Sequence, residues 1–243
     1  GNTVALSGKE LNGDAITVSA PTLKIRQATV SAPTSTKIFS NATDLEIGRF
    51  GVEAKADEVS VSKITITNVA SSSGITDLRR LISGSSAKLV GVDGSTIASS
   101  ATVNAGSIEF RSVNLRVAKD TTANVRLVVT TLSDLSSTTS ITALGGTKFL
   151  ASVTIANSDL SSANSAAPTM VGTTVTPDTN KVYSVSTQPP VVKVTSKTLV
   201  DNSAVATVTI TNIDPDLDLT LSGAKIRVSF RSTANGTAPT IAG

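Results

Sequence analysis

The sequence predicts an all-β protein of tandem antiparallel β-sandwiches, the last of them incomplete in itself or completed by a partner strand. Three observations carry that expectation. Apolar and polar residues alternate with a period of two, Ser, Thr and Val dominate the composition, and one nine-residue strand pattern recurs 144 residues downstream.

The alternation is clearest in the middle of the chain. Val113, Leu115 and Val117 alternate with Asn114, Arg116 and Ala118; after the polar break at 119–122, Val125, Leu127 and Val129 resume the pattern. A period of two puts one face in a core and the other in water, as in an antiparallel hairpin or a sandwich strand. The same reasoning predicts further strands at 15–19, 23–30, 45–54, 59–69, 88–92, 107–110, 148–155, 181–186, 191–194, 204–213 and 224–230. Only 75–82 reads as helical, for a turn or two, with Leu78, Leu81 and Ile82 able to share a face. Clusters of Ser, Asn, Gly and Pro mark loops at 91–94, 133–140 and 158–168; the last is a connector or, in the minority reading, a binding loop.

Composition narrows the function. Thirty-four Ser and 36 Thr make up about 29% of the 243 residues, beside 27 Val, which is what pleated strands with hydroxyls outward and branched aliphatics inward require. The chain has no His, Cys or Trp and a single Tyr. A Ser-His-Asp triad, a Cys-His pair, a His or thiolate zinc site and a haem or iron-sulfur ligand set are therefore ruled out. Asp57, Glu58, Glu109 and Asp134 form no recognisable acid-base pair, and one Tyr is no platform for sugar rings. The expectation is a protein that is not an enzyme. The formal charge of +3 comes from 21 basic and 18 acidic residues spread along the chain without basic-aromatic blocks, so no nucleic-acid partner is expected. No apolar run approaches the ~20 residues of a membrane-spanning segment. With no signal peptide before Gly1, the chain reads as a mature secreted product or a piece of something longer.

The repeat partitions the chain. Val61-Ser-Lys-Ile-Thr-Ile-Thr-Asn-Val69 and Val205-Ala-Thr-Val-Thr-Ile-Thr-Asn-Ile213 share five identities, and both carry a parity slip, apolar positions falling three apart and then two apart. A shared slip predicts the same bend or bulge in two strands. A second match joins 16–25 to 183–194, and a third, weak one joins 87–89 to 224–226. The predicted units are 1–20, an N-terminal strand or arm; 21–185, a complete sandwich; and 186–243, a partial or small one with about four strands. An unfinished sandwich leaves strand edges that another strand must cover. Thr3, Val4, Ala5 and Leu6 are the candidate donor, adding to a neighbouring copy; the alternatives are a continuation of the chain or a self-contained small sandwich.

The run from Gly106 to Val129, Gly-Ser-Ile-Glu-Phe-Arg-Ser-Val-Asn-Leu-Arg-Val-Ala-Lys-Asp-Thr-Thr-Ala-Asn-Val-Arg-Leu-Val-Val, preceded by Lys88-Leu-Val-Gly-Val-Asp-Gly94, resembles the immunoglobulin-like repeats of large secreted bacterial surface and surface-layer-like proteins. The turn at 118–121 lacks the Gly often found there. The resemblance spans roughly 44–185 and implies immunoglobulin-like sandwiches, an extracellular, cell-surface location and a structural role; it supplies no catalytic residues. The expected function is self-assembly with copies of itself into a surface layer or filament, by strand donation. The alternative is an adhesin or stalk repeat of a larger surface protein, or a phage or virus surface protein.

Asp214, Asp216 and Asp218 are the densest acidic cluster. Carboxylates at alternate positions are able to converge on calcium, the one cofactor the sequence suggests; the plain reading is a solvated acidic loop beside a strand edge. Asn41-Ala-Thr and Asn235-Gly-Thr are N-glycosylation sequons.

Overall fold

Strands with one apolar face need a second layer to bury it. A computed structural model describes residues 19–30, 37–135, 137–163, 167–178, 181–186, 191–200 and 203–211. The architecture is all-β and sandwich-like, with several sheets. A six-stranded sheet runs in the order Thr169–Met170, Thr22–Arg26, Leu45–Lys55, Thr122–Val129, Lys88–Gly91, Thr96–Ala98. A five-stranded sheet runs Thr174–Val175, Ala151–Thr154, Ile64–Asn68, Ser107–Phe110, Thr102–Val103. Two three-stranded sheets complete this body, centred on Val59–Val61 and on Tyr183–Val185.

One hydrophobic cluster joins all four sheets. Phe50, Val52, Val125 and Leu127 enter it from the six-stranded sheet, and Ile64, Ile66, Phe110 and Val153 from the five-stranded one. Phe149 and Val185 add to it from the sheet centred on Tyr183–Val185. The predicted alternation is visible residue by residue: Leu23 and Ile25 are buried while Lys24 and Arg26 are exposed.

The strand expected at 23–30 ends at Arg26. Beyond it the chain crosses the outer face of the sheet, and the Thr29 amide donates to Asn124 Oδ1 at 2.8 Å. Gly51 makes this crossing possible: a Cβ there would lie 3.0 Å from the Gln27 carbonyl oxygen and 3.1 Å from a Thr122 methyl.

Val113–Val117 and Val125–Val129 alternate alike yet do not pair with each other. Leu115–Val117 pairs with Val59–Val61, whereas Thr122–Val129 pairs with Leu45–Lys55 in another sheet. The predicted strand at 148–155 likewise divides into Lys148–Phe149 and Ala151–Thr154, in two different sheets. Of the loop expected at 158–168, Leu160–Ser161 is an edge strand against Val59–Val61.

The helical reading of 75–82 reduces to one 3-10 turn, Leu78–Arg80, capped by the Asp77 carboxylate, with Leu78, Leu81 and Ile82 all buried. The α-helix lies elsewhere, at Thr138–Leu144, overlapping the predicted loop at 133–140. Ser137 caps it by accepting from the Ser140 amide at 3.0 Å, and Gly145 ends it in the left-handed conformation at φ 73°. Ser and Thr are weak helix formers, so composition conceals what these two caps specify. The expected strand at 224–230 and nearly all of that at 15–19 lie outside the described residues.

Candidate assembly surface

The second copy of the repeated pattern belongs to a two-stranded antiparallel sheet, Val191–Val200 with Ser203–Thr211. Its register places Val192 opposite Ile210, Val194 opposite Val208 and Lys193 opposite Thr209. One face thus carries Val192, Val194, Val208 and Ile210, and the other carries Val191 and Lys193 with Thr207, Thr209 and Thr211. Val192 is 63% exposed and Val194 47%, while Val208 and Ile210 are half-buried.

Both copies of the pattern depart from regular pairing at the same step, by different means. In the first, the strand breaks at Ser62 and Lys63, so that Val59–Val61 lies in one sheet and Ile64–Asn68 in another. In the second, Ser203–Thr211 stays continuous and the extra residue sits across from it, at Thr195, where the register shifts between Val194 and Ser196. The Thr195 hydroxyl donates to the Thr207 carbonyl at 3.2 Å and lies 3.2 Å from the Thr209 hydroxyl, which ties the bulge down.

Sheet edges differ as sharply. Among the described residues, every edge strand of the four sheets around the core is two or three residues long. Such short edges are the usual protection against pairing with another chain. The hairpin strands are ten and nine residues long, and among the described residues each pairs only with the other.

A polar cleft of about 410 Å³ lies beside the chain crossing, with Gln27, Thr29, Arg49, Asp178 and Lys181 in its wall. The Arg49 guanidinium forks onto the Glu46 carboxylate with two bonds of 2.8 Å, both side chains being about 10% exposed. That pairing raises the Arg49 pKa against the opposing effect of burial. Burial, with the Glu46 charge adding to it, raises the Tyr183 phenol well above its ordinary value.

Three of the acidic residues singled out in the sequence have partners within the fold. Asp57 accepts from the Glu58 amide and the Ser162 hydroxyl, Glu109 pairs with Arg111 at 2.8 Å, and Asp134 accepts from the Ser137 amide. Among the described residues no group of three carboxylates converges as a metal site would require, and no helix is long and apolar enough to cross a membrane.

Asn41 sits exposed in a turn at φ 53°, its amide donating to the Leu132 carbonyl at 2.8 Å. Thr43 of the same sequon is also exposed. The donor candidates Thr3, Val4, Ala5 and Leu6, the acidic residues Asp214, Asp216 and Asp218, and Asn235 lie outside the described residues.

Alternation missed Asn68, which organises the end of the first repeat. Its Nδ2 donates to the carbonyls of Ile75 (2.8 Å) and Lys148 (3.3 Å), and its Oδ1 accepts from the amides of Leu150 (2.9 Å) and Ala70 (3.2 Å). The signal lay in the motif itself, as the Asn that closes Thr-Ile-Thr-Asn in both copies.

No family model matches the chain, and no curated protein matches it.

Proposed function

We propose that the chain is an extracellular structural protein, without enzymatic activity, that assembles with copies of itself into a surface layer or filament by strand addition. The observation supporting this reading is the contrast in edges. Among the described residues, a body whose edge strands are all two or three residues long is joined in one chain to a hairpin with edges of nine and ten. An unprotected edge of that length offers a row of backbone donors and acceptors to an incoming strand. In this reading the units are tandem immunoglobulin-like sandwiches, and Thr3–Leu6 of a neighbouring copy is the donor strand.

Electron microscopy of the purified protein tests the assembly. Regular sheets or filaments are the expected result; monodisperse rods favour the adhesin or stalk reading instead. Deletion of residues 1–13 isolates the donor: assembly that survives it removes Thr3–Leu6 from the mechanism. Calcium at Asp214, Asp216 and Asp218 would stiffen the second unit, and a melting transition unchanged by chelator ends that assignment. An N-linked glycan at Asn41 would add its mass to the native protein and disappear in Asn41→Gln.

A further inference from the structure

Tyr183 is only 4% exposed, yet its hydroxyl has no hydrogen-bond partner among the described residues. A buried phenol ordinarily finds one. No fully enclosed side-chain nitrogen or oxygen among those residues lacks a partner, so the phenol oxygen belongs to the small part of Tyr183 that is open. Tyr183 opens on a pocket of about 20 Å³, room for one water, walled by Gly48, Arg49, Asp178 and Lys181. Arg49, Asp178 and Lys181 also line the polar cleft of about 410 Å³, so the pocket and the cleft adjoin. The far wall is the chain crossing at Gln27–Val30, fastened where Thr29 bonds to Asn124.

The polar groups here divide by whether they are already engaged. Glu46 takes the Arg49 fork, and Asp178 has a partner of its own. The half-buried Lys181 ammonium, the Tyr183 hydroxyl and the exposed Gln27 amide have none among the described residues. Lys181 brings three N–H donors and no acceptor. Burial keeps the Tyr183 phenol protonated, so toward an anion it acts as a donor as well. Gln27 both donates and accepts, which suits a hydroxyl.

We propose that this cleft binds a small hydroxylated monocarboxylate, of the sugar-acid class, with its carboxylate on the Lys181 ammonium and the Tyr183 hydroxyl and its hydroxyls on Gln27 and Asp178. A cleft of this size with a few convergent polar groups is the ordinary form of a small-molecule site. A neutral sugar would leave the half-buried ammonium uncompensated. A dianion would bring its second charge toward Glu46 and Asp178. The cleft belongs to the body of four sheets, so the inference stands apart from the hairpin and from the assembly reading.

Tyr183 is the one tyrosine and the chain has no Trp, so tyrosine fluorescence reads this pocket alone. Titration of the native chain with sodium D-glucuronate should change the emission saturably, at a half-saturation at least tenfold below those of D-glucose and inorganic phosphate. Lys181→Gln is expected to raise the glucuronate half-saturation at least tenfold at an unchanged melting temperature, whereas Lys119→Gln, on an exposed turn, leaves it as it was. Calorimetric titration of Tyr183→Phe, which keeps the ring and removes the hydroxyl, should show weaker binding of glucuronate. The absence of a saturable change in the native chain overturns the proposal, and so does an equal response to glucose or to phosphate. The comparison among the three probes needs no variant; affinity undiminished in a folded Lys181→Gln overturns the proposal equally.

Discussion

Ile64 and Ile66 are wholly buried, whereas Val208 and Ile210, at the same places in the same Thr-x-Thr-Asn pattern, are only half-buried. The difference lies in the neighbours. Ile64–Asn68 is the central strand of five, with Ala151–Thr154 on one side, Ser107–Phe110 on the other and a six-stranded sheet contributing to the same core. Among the described residues, Ser203–Thr211 has a strand on one side only. Nearly identical residues therefore carry very different energetic weight, because burial belongs to the surroundings and not to the side chain.

The sharpest way to break this comparison is to truncate both isoleucines. Ile66→Ala leaves a cavity in a closed core and is expected to cost about 2–5 kcal/mol. Ile210→Ala is expected to cost under about 1 kcal/mol in the unfolding of the main body, since its side chain is outside that core. Urea unfolding followed by the Tyr183 signal measures both, and equal losses would show that the two strands share one cooperative core.

Next in size is the asparagine that ends the motif. Asn68→Ala strips two carbonyls and two amides of their partner, at about 1–3 kcal/mol if they are left unsatisfied. Asn68→Asp keeps the acceptor and loses the donors, so a smaller loss on the Asp variant assigns most of the effect to the Leu150 and Ala70 amides. Thermal unfolding of the two variants side by side separates these cases.

The smallest effect is on pH. Asp77, bonded through its side chain to Arg79, and Asp93, bonded to the Ser95 hydroxyl, both have carboxyls held below the usual range. Folded pKa values below the unfolded ones contribute stability that is present above about pH 4 and lost as pH falls through the folded values. Both groups are near the surface, so the loss should be shallow. The described strands of the hairpin carry no Asp or Glu, so their exchange protection should not follow this titration. Melting temperature from pH 6 to 2, set beside hydrogen exchange at Val192 and Ile210, sharpens the contrast between the two regions.

What could be read from the residues and what could not divides along the same physical line. The alternation that marked 107–110 and 45–54 as strands survives nearly unchanged in Ser107–Phe110 and Leu45–Lys55. Periodicity gives no hint of two-residue strands such as Thr169–Met170 and Thr174–Val175, which exist only because a longer strand lies beside them. The helix at Thr138–Leu144 was hidden by its Ser and Thr content, and its evidence lay in Ser137 and Gly145, at its ends. In the hairpin, the strand expected at 204–213 matches Ser203–Thr211 over the described residues, but the spacing ends its partner at 194. The bulge at Thr195 lets that partner continue to Val200 out of phase with simple alternation.

The sequence by itself determined which residues are strand-forming, which of their faces is apolar, and where the parity slips, since these depend on spacing along the chain. Only the tertiary structure decided that the first slip becomes a crossing between two sheets at Ser62 and Lys63, while the second is met by a bulge at Thr195 on the opposing strand. A strand's period is a local property of backbone geometry, but its partner is chosen by contacts between residues far apart in sequence. Two copies of one nine-residue pattern can therefore complete a core in one place and, among the described residues, leave long edges open in another.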